Sequence, residues 1–473
     1  MSFDRKTILA LSGALFVLVA AQLLLILWLK PGYGVADDGT ILLLCDRIQS
    51  HGLWNEFRNF VVGDRSWGMF RPSYFFMSQL LYCTTQPNTT LLYFCNALFV
   101  FSTLAICGFF FYSTIDKPSW SRKLFVLGFI FICLAIYRTH DLFSIVGMQE
   151  KLVLLAGSLA IGVFSYFPLK NKTRESFFSG TTEILLIVTL LILGFSTKAQ
   201  FLLFLPGLFL ILVQRTHKES SRFLFLLRIF LYAVCSIIGA LLIKKIASAG
   251  LYTTGYSTTR ILHNLQTRQA IYLIAISVSS IALELFFLKN KRFTVENICT
   301  VLLPASFPLS YLAIMAPWSI SDSYLLASTA PLIAFCSLSV WQKISLQKTY
   351  QCFYVIIFIA FVMTLGRGYR NIGRYSDFNK ILYSKELLQL TSGPHTLIMS
   401  CDEGANLIKV YTQRFLGKKI NTVTKYSSDI PSQHSIMLLG DSALCPVDMA
   451  LKQNLTRIST PLFKDSFALY KLR

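Results

Sequence analysis

Charge is what this chain has least of. Asp, Glu, Lys and Arg together make up 14% of its 473 residues, and only 23 residues are acidic. A water-soluble chain of this length needs far more polar surface, so a soluble globular fold is excluded. Local signatures of common chemistries are missing as well. There is no Walker A loop, no Gly-x-Gly-x-x-Gly fingerprint and no His-Glu-x-x-His motif. ATP-driven transport and nicotinamide chemistry therefore have no local support. The 11 Cys residues form no Cys-x-x-Cys pair, which removes the usual zinc-ribbon and dithiol readings. No internal repeat or low-complexity tract is present.

Apolar residues fill the space left by charge. They make up 54% of the chain, with 40 Phe and a mean hydropathy of +0.57. Burial in lipid is the simplest account. Apolar runs occur at Ile8–Leu29, Thr90–Tyr112, Leu124–Tyr137, Leu152–Leu169, Glu183–Thr197, Phe201–Val213, Phe223–Leu242, Ala270–Leu288, Ile298–Ala316, Tyr324–Val340 and Cys352–Leu365. A helix needs roughly 20 residues to cross the bilayer with its backbone groups paired. The third, fifth, sixth and last runs are short for that: either their ends extend into the flanks, or they are broken helices. The first run lacks a small-x-small cleavage site and reads as a retained anchor.

Basic residues outnumber acidic ones 44 to 23, for a net charge of +21. They fall largely in brief turns, as in Lys117/Arg122/Lys123, Lys170/Lys172/Arg174, Arg215/Lys218/Arg222 and Lys289/Lys291/Arg292. Every second inter-helix segment is basic, which the positive-inside rule explains better than a nucleic acid does. The expected fold class is an all-α polytopic membrane protein of about 11 helices, N-terminus inside and C-terminus outside. Anionic headgroups are the expected lipid contact.

Expected domains are 1–367, holding the membrane helices, and 368–473 outside the membrane; residues 31–89 form the first outward loop. Within that loop Asp38–Leu53 has helical amphipathic spacing and is expected to lie on the bilayer, with Pro72–Tyr82 as a second surface helix. In the tail, Phe378–Leu390 and Glu403–Phe415 read as helices, and His395–Ser400 and Ser435–Leu439 as strands. These predict a small α/β domain of about 100 residues. Cys45 with Cys83, and Cys401 with Cys445, can bridge if those regions face an oxidising compartment, but sequence alone cannot pair them.

Candidate functional residues lie in the outward segments. Asp37 and Asp38 follow the Gly32-Tyr33-Gly34 turn. A carboxylate there can deprotonate an acceptor hydroxyl or hold a divalent metal beside a phosphate, and it can equally cap a helix. Glu150, next to Lys151 and preceded by His140 and Asp141, is a second acidic candidate; the alternative is an ion pair marking the end of a span. Lys198 stands between two apolar runs, where a lipid phosphate or snorkelling would offset its cost. Arg71, Arg260 and His263 are further candidates for phosphate or carboxylate contact. Trp67 and Tyr74 can stack on a sugar or simply belong to an aromatic belt.

The layout resembles membrane glycosyltransferases of the GT-C type, which use polyprenyl-phosphate-linked sugars. The acidic pair Asp37-Asp38 after the first helix matches that family's first-loop motif, and Glu150 its second outward acidic residue. Ser196-Thr197-Lys198 through Pro206-Gly207 is similar to the Thr-Lys segment of lipid-sugar transferases such as aminoarabinose transferases. Arg71-Pro72-Ser73-Tyr74 is similar to the step that opens the second surface helix. Lys198 is followed by Ala199 where the family pattern often has Gly. The nearest-looking group decorates bacterial lipopolysaccharide O-antigen, often with glucose.

The resemblance implies an inverting transferase in the bacterial inner membrane with a periplasmic active site. Asp37, Asp38 and Glu150 would be catalytic, and Lys198, Arg71 and Arg260 would bind the donor phosphate. Substrate contacts would come from His140, Asp141, Lys151, His263, Trp67 and Tyr74. Mg or Mn is a candidate cofactor. The implied partners are an undecaprenyl-phosphate-linked sugar, a glycan acceptor, membrane lipid, a donor synthase and a flippase, with no nucleic acid. A transporter, flippase or polymerase of lipid-linked glycans is the alternative reading.

Overall fold

The computed structural model describes residues 5–33, 38–66, 69–86, 88–114, 129–130, 132–133, 148–166, 177–197, 199–216, 222–247, 258–288, 294–316, 325–344, 350–382, 385, 396–399, 402–415, 417, 421–423, 436–440, 455–457 and 468–472. Helix α1 (Arg5–Leu29) is followed by the outward-loop helices α2 (Asp38–His51), α3 (Leu53–Ser66) and α4 (Pro72–Ser78), the last continuing as a π-helical turn, Gln79–Cys83. Helices α5 (Thr89–Thr114), α6 (Met148–Tyr166) and α7 (Phe177–Thr197) come next. A 3₁₀ segment, Ala199–Phe204, leads into α8 (Leu205–Thr216), followed by α9 (Arg222–Ala247) and the short α10 (Thr258–Leu265). Then come α11 (Arg268–Leu288), α12 (Val295–Met315), α13 (Leu325–Ile344) and α14 (Tyr350–Leu382).

Ten of the eleven expected apolar runs coincide with these helices; Leu124–Tyr137 lies almost wholly outside the described residues. By length and composition, four segments among the described residues can cross a membrane: Thr89–Gly108, Phe225–Ile243, Arg268–Leu288 and Val295–Met315. Val19–Leu29, Ile184–Thr197, Phe201–Gln214 and Ala330–Val340 are shorter apolar helices. The chain is thus a polytopic, mostly helical protein, but the count of about 11 full spans is met only in part. The sixth expected span is broken: a 3₁₀ segment of 6 residues precedes an α-helix of 12. Their rises sum to about 30 Å, the thickness of a hydrocarbon core.

Burial sorts the long helices. The α5 and α12 segments are 56% buried, against 17% for α9 and 22% for α11, so α5 and α12 are central and the other two peripheral. Exposed Phe223, Leu226, Phe230, Ile238 and Leu242 give α9 an apolar outer surface. Lipid is as apolar as these side chains, so helix association must come from close packing instead. Here Phe rings fit against glycines. A Cβ on Gly157 would collide with Phe204, on Gly194 with Phe201, on Gly207 with Phe307 and on Gly239 with Phe195. Phe111 stacks on Phe335 at 4.1 Å and meets Phe307 edge-on at 5.5 Å, joining α5, α12 and α13.

Outside the bundle, several expectations change. Gly52, at φ 86°, ends the first surface helix at His51 and starts a separate α3 that its amphipathic spacing did not reveal. Nor does α2 lie on a bilayer with its apolar face free: Ile41, Leu42, Leu44 and Cys45 are buried. Helix α4 stops at Ser78, where the hydrogen-bonding widens into the π turn. Cys45 is bonded to Cys83, tying α2 to that turn. Closing a loop of 38 residues removes unfolded-state entropy equivalent to about 4 kcal/mol. The alternative pair, Cys401 and Cys445, lies outside the described residues.

Helix α14 has 33 residues, and at about 1.5 Å per residue it far exceeds a hydrocarbon core. It runs unbroken through residue 367, the expected domain boundary, to Leu382, so Phe378 closes this helix rather than opening a new one. Beyond it are β1 (Thr396–Met399), α15 (Asp402–Phe415), β2 (Asn421–Val423), β3 (Ile436–Gly440), β4 (Leu455–Arg457) and β5 (Ala468–Leu472). The sheet order is β2-β1-β3-β5-β4, with β1 parallel to β2 and β3, and β5 antiparallel to β3 and β4. Helix α15 buries Leu407, Ile408 and Tyr411 and is packed between the sheet and α2.

Gly157→Ala and Gly207→Ala should each destabilise the protein by about 1–3 kcal/mol, because the facing rings are fully buried and cannot yield. Gly63→Ala, where a Cβ meets nothing within 4 Å, should be close to neutral. Thermal unfolding in detergent measures all three.

Candidate functional site

Helix α4, which carries Tyr74 and follows Arg71, links several of the candidate segments. This helix packs against both α6 and α7. Its Ser73 hydroxyl shares a 2.5 Å hydrogen bond with the Ser196 hydroxyl in the last turn of α7. Ser196 and Thr197 also donate to the carbonyls of Leu193 and Gly194, each at 2.6 Å, satisfying acceptors that the helix end leaves open. The next residue is Lys198, which lies outside the described residues, between buried Thr197 and buried Phe201. The Ser73–Ser196 contact thereby ties the start of α4 to the end of α7.

Glu150 and Lys151 occupy the first turn of α6, the helix that α4 contacts, and both are buried, at 5% and 0% exposure. Charges this deep in an apolar bundle persist only when compensated. Adjacent helix positions point in different directions, so the two side chains enter separate surroundings.

Arg71 is already committed. Its Nε donates to Asp64 Oδ2 at 3.0 Å and its Nη2 to Asp64 Oδ1 at 2.5 Å, a two-pronged pair joining α3 to the start of α4. Their side chains are only 13% and 6% exposed. The guanidinium also sits 5.2 Å from the centroid of the Tyr74 ring, and Tyr74 is buried. The Arg71 charge is therefore balanced by Asp64, with the Tyr74 ring beside it. A second buried carboxylate, Glu56, gathers Arg47 at 3.4 Å, His51 at 3.1 Å and Asn59 at 3.2 Å at the α2–α3 corner. Sequence reading missed Asp64 and Glu56, since nothing in their spacing separates a buried carboxylate from a solvated one.

The acidic pair is approached from α1. Lys30 has a left-handed backbone, φ 46°, and its N–H donates to Ile26 O at 2.9 Å, a helix stop completed by Pro31. Asp38 is the first residue of α2 and so stands inside the helix, one place past its N-cap position. Arg260 and His263 are exposed on α10, which is anchored where Asn264 donates to Ala316 O at 2.7 Å, at the end of α12. Helix α12 in turn packs along α8 and the 3₁₀ segment after Lys198. Asp37, Trp67, His140 and Asp141 lie outside the described residues. Among the described residues, no three of His, Cys, Asp and Glu gather as metal ligands.

Asp64→Ala should cost about 3–5 kcal/mol in thermal unfolding, because it strands a mostly buried guanidinium. The double variant Asp64→Leu/Arg71→Met should recover most of that loss.

Comparison of the sequence with protein-family models and with curated proteins finds no match.

Proposed function

We propose that this protein is a membrane glycosyltransferase that moves a sugar, glucose in the first instance, from a polyprenyl phosphate to a glycan outside the cytosol. The observation that supports the proposal is the seat of α4, whose Ser73–Ser196 contact ties the helix that follows the Arg-Pro step to the last turn of α7, two residues before Lys198 in the sequence. The same helix packs against α6, whose first turn holds the buried Glu150 and Lys151. The disulfide between Cys45 and Cys83 supports an oxidising location for this end of the bundle. A bacterial inner membrane fits, with the N-terminus cytoplasmic, the C-terminus periplasmic and an O-antigen or related glycan as acceptor.

In the proposed reaction Asp38 or Asp37 takes the proton of an acceptor hydroxyl. The acceptor oxygen forms a bond to the anomeric carbon while the bond from that carbon to the phosphate oxygen breaks. The lipid phosphate leaves with the electron pair, and the anomeric centre inverts. Lys198 offsets the charge that grows on the phosphate, with Arg260 as a more distant cation. A phosphate is already a good leaving group, so strong acid assistance is unnecessary. A divalent ion, Mg or Mn, would add charge compensation at the phosphate. A donor synthase and a flippase would supply the lipid-linked sugar. The transporter reading calls for charges at mid-depth; the buried Arg228 and Glu284 instead lie towards the ends of α9 and α11.

Asp37→Asn and Asp38→Asn are expected to separate the base from its neighbour. One should lower transfer by roughly 10²–10⁴-fold while membrane insertion persists. Transfer of radiolabelled sugar from a polyprenyl-phosphate donor is the readout, and wild-type rates in both single variants and in the double variant would remove the catalytic assignment. Lys198→Ala should raise the apparent KM for donor more than that for acceptor.

A further inference from the structure

One stripe of α14 changes character along its length. Val355, Ile359, Val362 and Met363 are exposed apolar side chains. Helical steps of three or four residues carry the same face on through Gly366 to Arg370. Gly366 is exposed, a Cβ there would meet nothing within 4 Å, and Arg370 is exposed as well. Arg367 and Arg374, each half-buried, flank Arg370 at helical spacing. The apolar outer surface of the helix therefore ends in a glycine notch next to three arginines.

Contacts with α1 fix the level of this stripe. Trp28, exposed in the last turn of α1, stacks on Tyr369 at 5.7 Å. The Gly32 N–H donates to Tyr375 O at 3.2 Å, just above, and Gly368 faces Gln22, lower on α1. The apolar part of α1 is Val19–Leu29, so Arg367 to Arg374 span the level at which α1 leaves its apolar section. Trp and Tyr gather at that level in membrane proteins, where the headgroups begin. Arginines there bury their stems among chains and bring the guanidinium to phosphate oxygens.

In the proposed topology this end of the bundle faces away from the cytosol, where a positive-inside bias does not account for three arginines. Within α14 the one carboxylate is Asp377, which is buried and 3.7 Å from Lys380 Nζ. Each guanidinium has five N–H donors in a rigid fork, so an arginine with a protein partner still has donors to offer a phosphate.

We propose that this stripe is a docking site for an anionic glycerophospholipid of the leaflet at that end. Arg367, Arg370 and Arg374 take its phosphate, and its acyl chains lie along Val355, Ile359 and Val362 across the Gly366 notch. A lipid fits better than a soluble phosphate because the cationic stripe continues the apolar one without a break, as a headgroup continues its chains. Sugar transfer is not needed for such a site to exist.

The test uses the full-length protein in detergent, with native mass spectrometry to count retained lipid and thermal unfolding to follow its effect. Phosphatidylglycerol and phosphatidylcholine of matched chains are the probes, with inorganic phosphate and undecaprenyl phosphate as rival occupants. The wild type is expected to retain phosphatidylglycerol in preference to phosphatidylcholine and to unfold at a higher temperature in its presence. Replacing all three arginines (Arg367→Gln, Arg370→Gln, Arg374→Gln) should weaken phosphatidylglycerol binding by about 10–100-fold. Lys409→Gln/Arg457→Gln, which removes exposed charge from the α/β domain, should leave binding unchanged. Arg370→Gln alone alters an exposed side chain and decides the matter if the triple variant does not fold; binding about 5-fold weaker is expected. Equal retention of the two phospholipids by the wild type overturns the site. So do unchanged binding in the folded stripe variants and equal losses in the stripe and control variants. Stabilisation by inorganic phosphate alone would make a soluble anion the occupant, and preferential retention of undecaprenyl phosphate would make it the donor lipid; either result overturns the phospholipid assignment.

Discussion

A helix leaving an apolar bundle must satisfy its last carbonyls and turn the chain within a few residues, and at the outer end of α1 both happen together. The left-handed Lys30 closes the helix, Pro31 prevents its continuation, and Gly32 allows the close approach of Asn379. Left-handed backbone at a lysine costs about 1 kcal/mol, offset here by hydrogen bonds at both the amide and the carbonyl. Trp28 stacking on Tyr369 at 5.7 Å brings α14 against α1 just before it.

The bundle beneath is held by shape. Helices that gain nothing from leaving lipid must interlock, and Phe rings entering glycine notches supply that contact along α6, α7, α8 and α9. The broken α7–α8 connection is part of the same arrangement, because Phe201 and Phe204 of the 3₁₀ segment fill the notches at Gly194 and Gly157. Helix α4 packs against both α6 and α7 and is bonded to the last turn of α7 through Ser73 and Ser196.

Much of this was legible in advance. Apolar runs located ten of the helices, because a backbone in lipid has few ways to pair its own groups. In the tail, β1, α15 and β3 fall within a residue or two of where periodicity and the Gly-Pro punctuation put them. The edge strands β2 and β4, each of three residues, were not visible, since so short a segment carries no alternation to read. Nor was the continuation of α14 through Gly366 and Gly368. A Cβ at Gly366 meets nothing nearby, whereas Gly368 faces Gln22 of α1 at 3.0 Å, so packing and not propensity carries the helix across this pair.

Composition and periodicity by themselves determined that the chain is a polytopic helical protein with an α/β tail, and they singled out the acidic pair, Glu150 and Lys198 as chemically unusual residues. Pattern reports only which groups share a face or a boundary. Tertiary structure decided the pairings: Cys45 with Cys83, Arg71 with Asp64, Ser73 with Ser196, and the C-terminal region with the turn after α1. Each joins positions whose proximity depends on how helices cross and how far they project, and no local run of residues encodes that geometry.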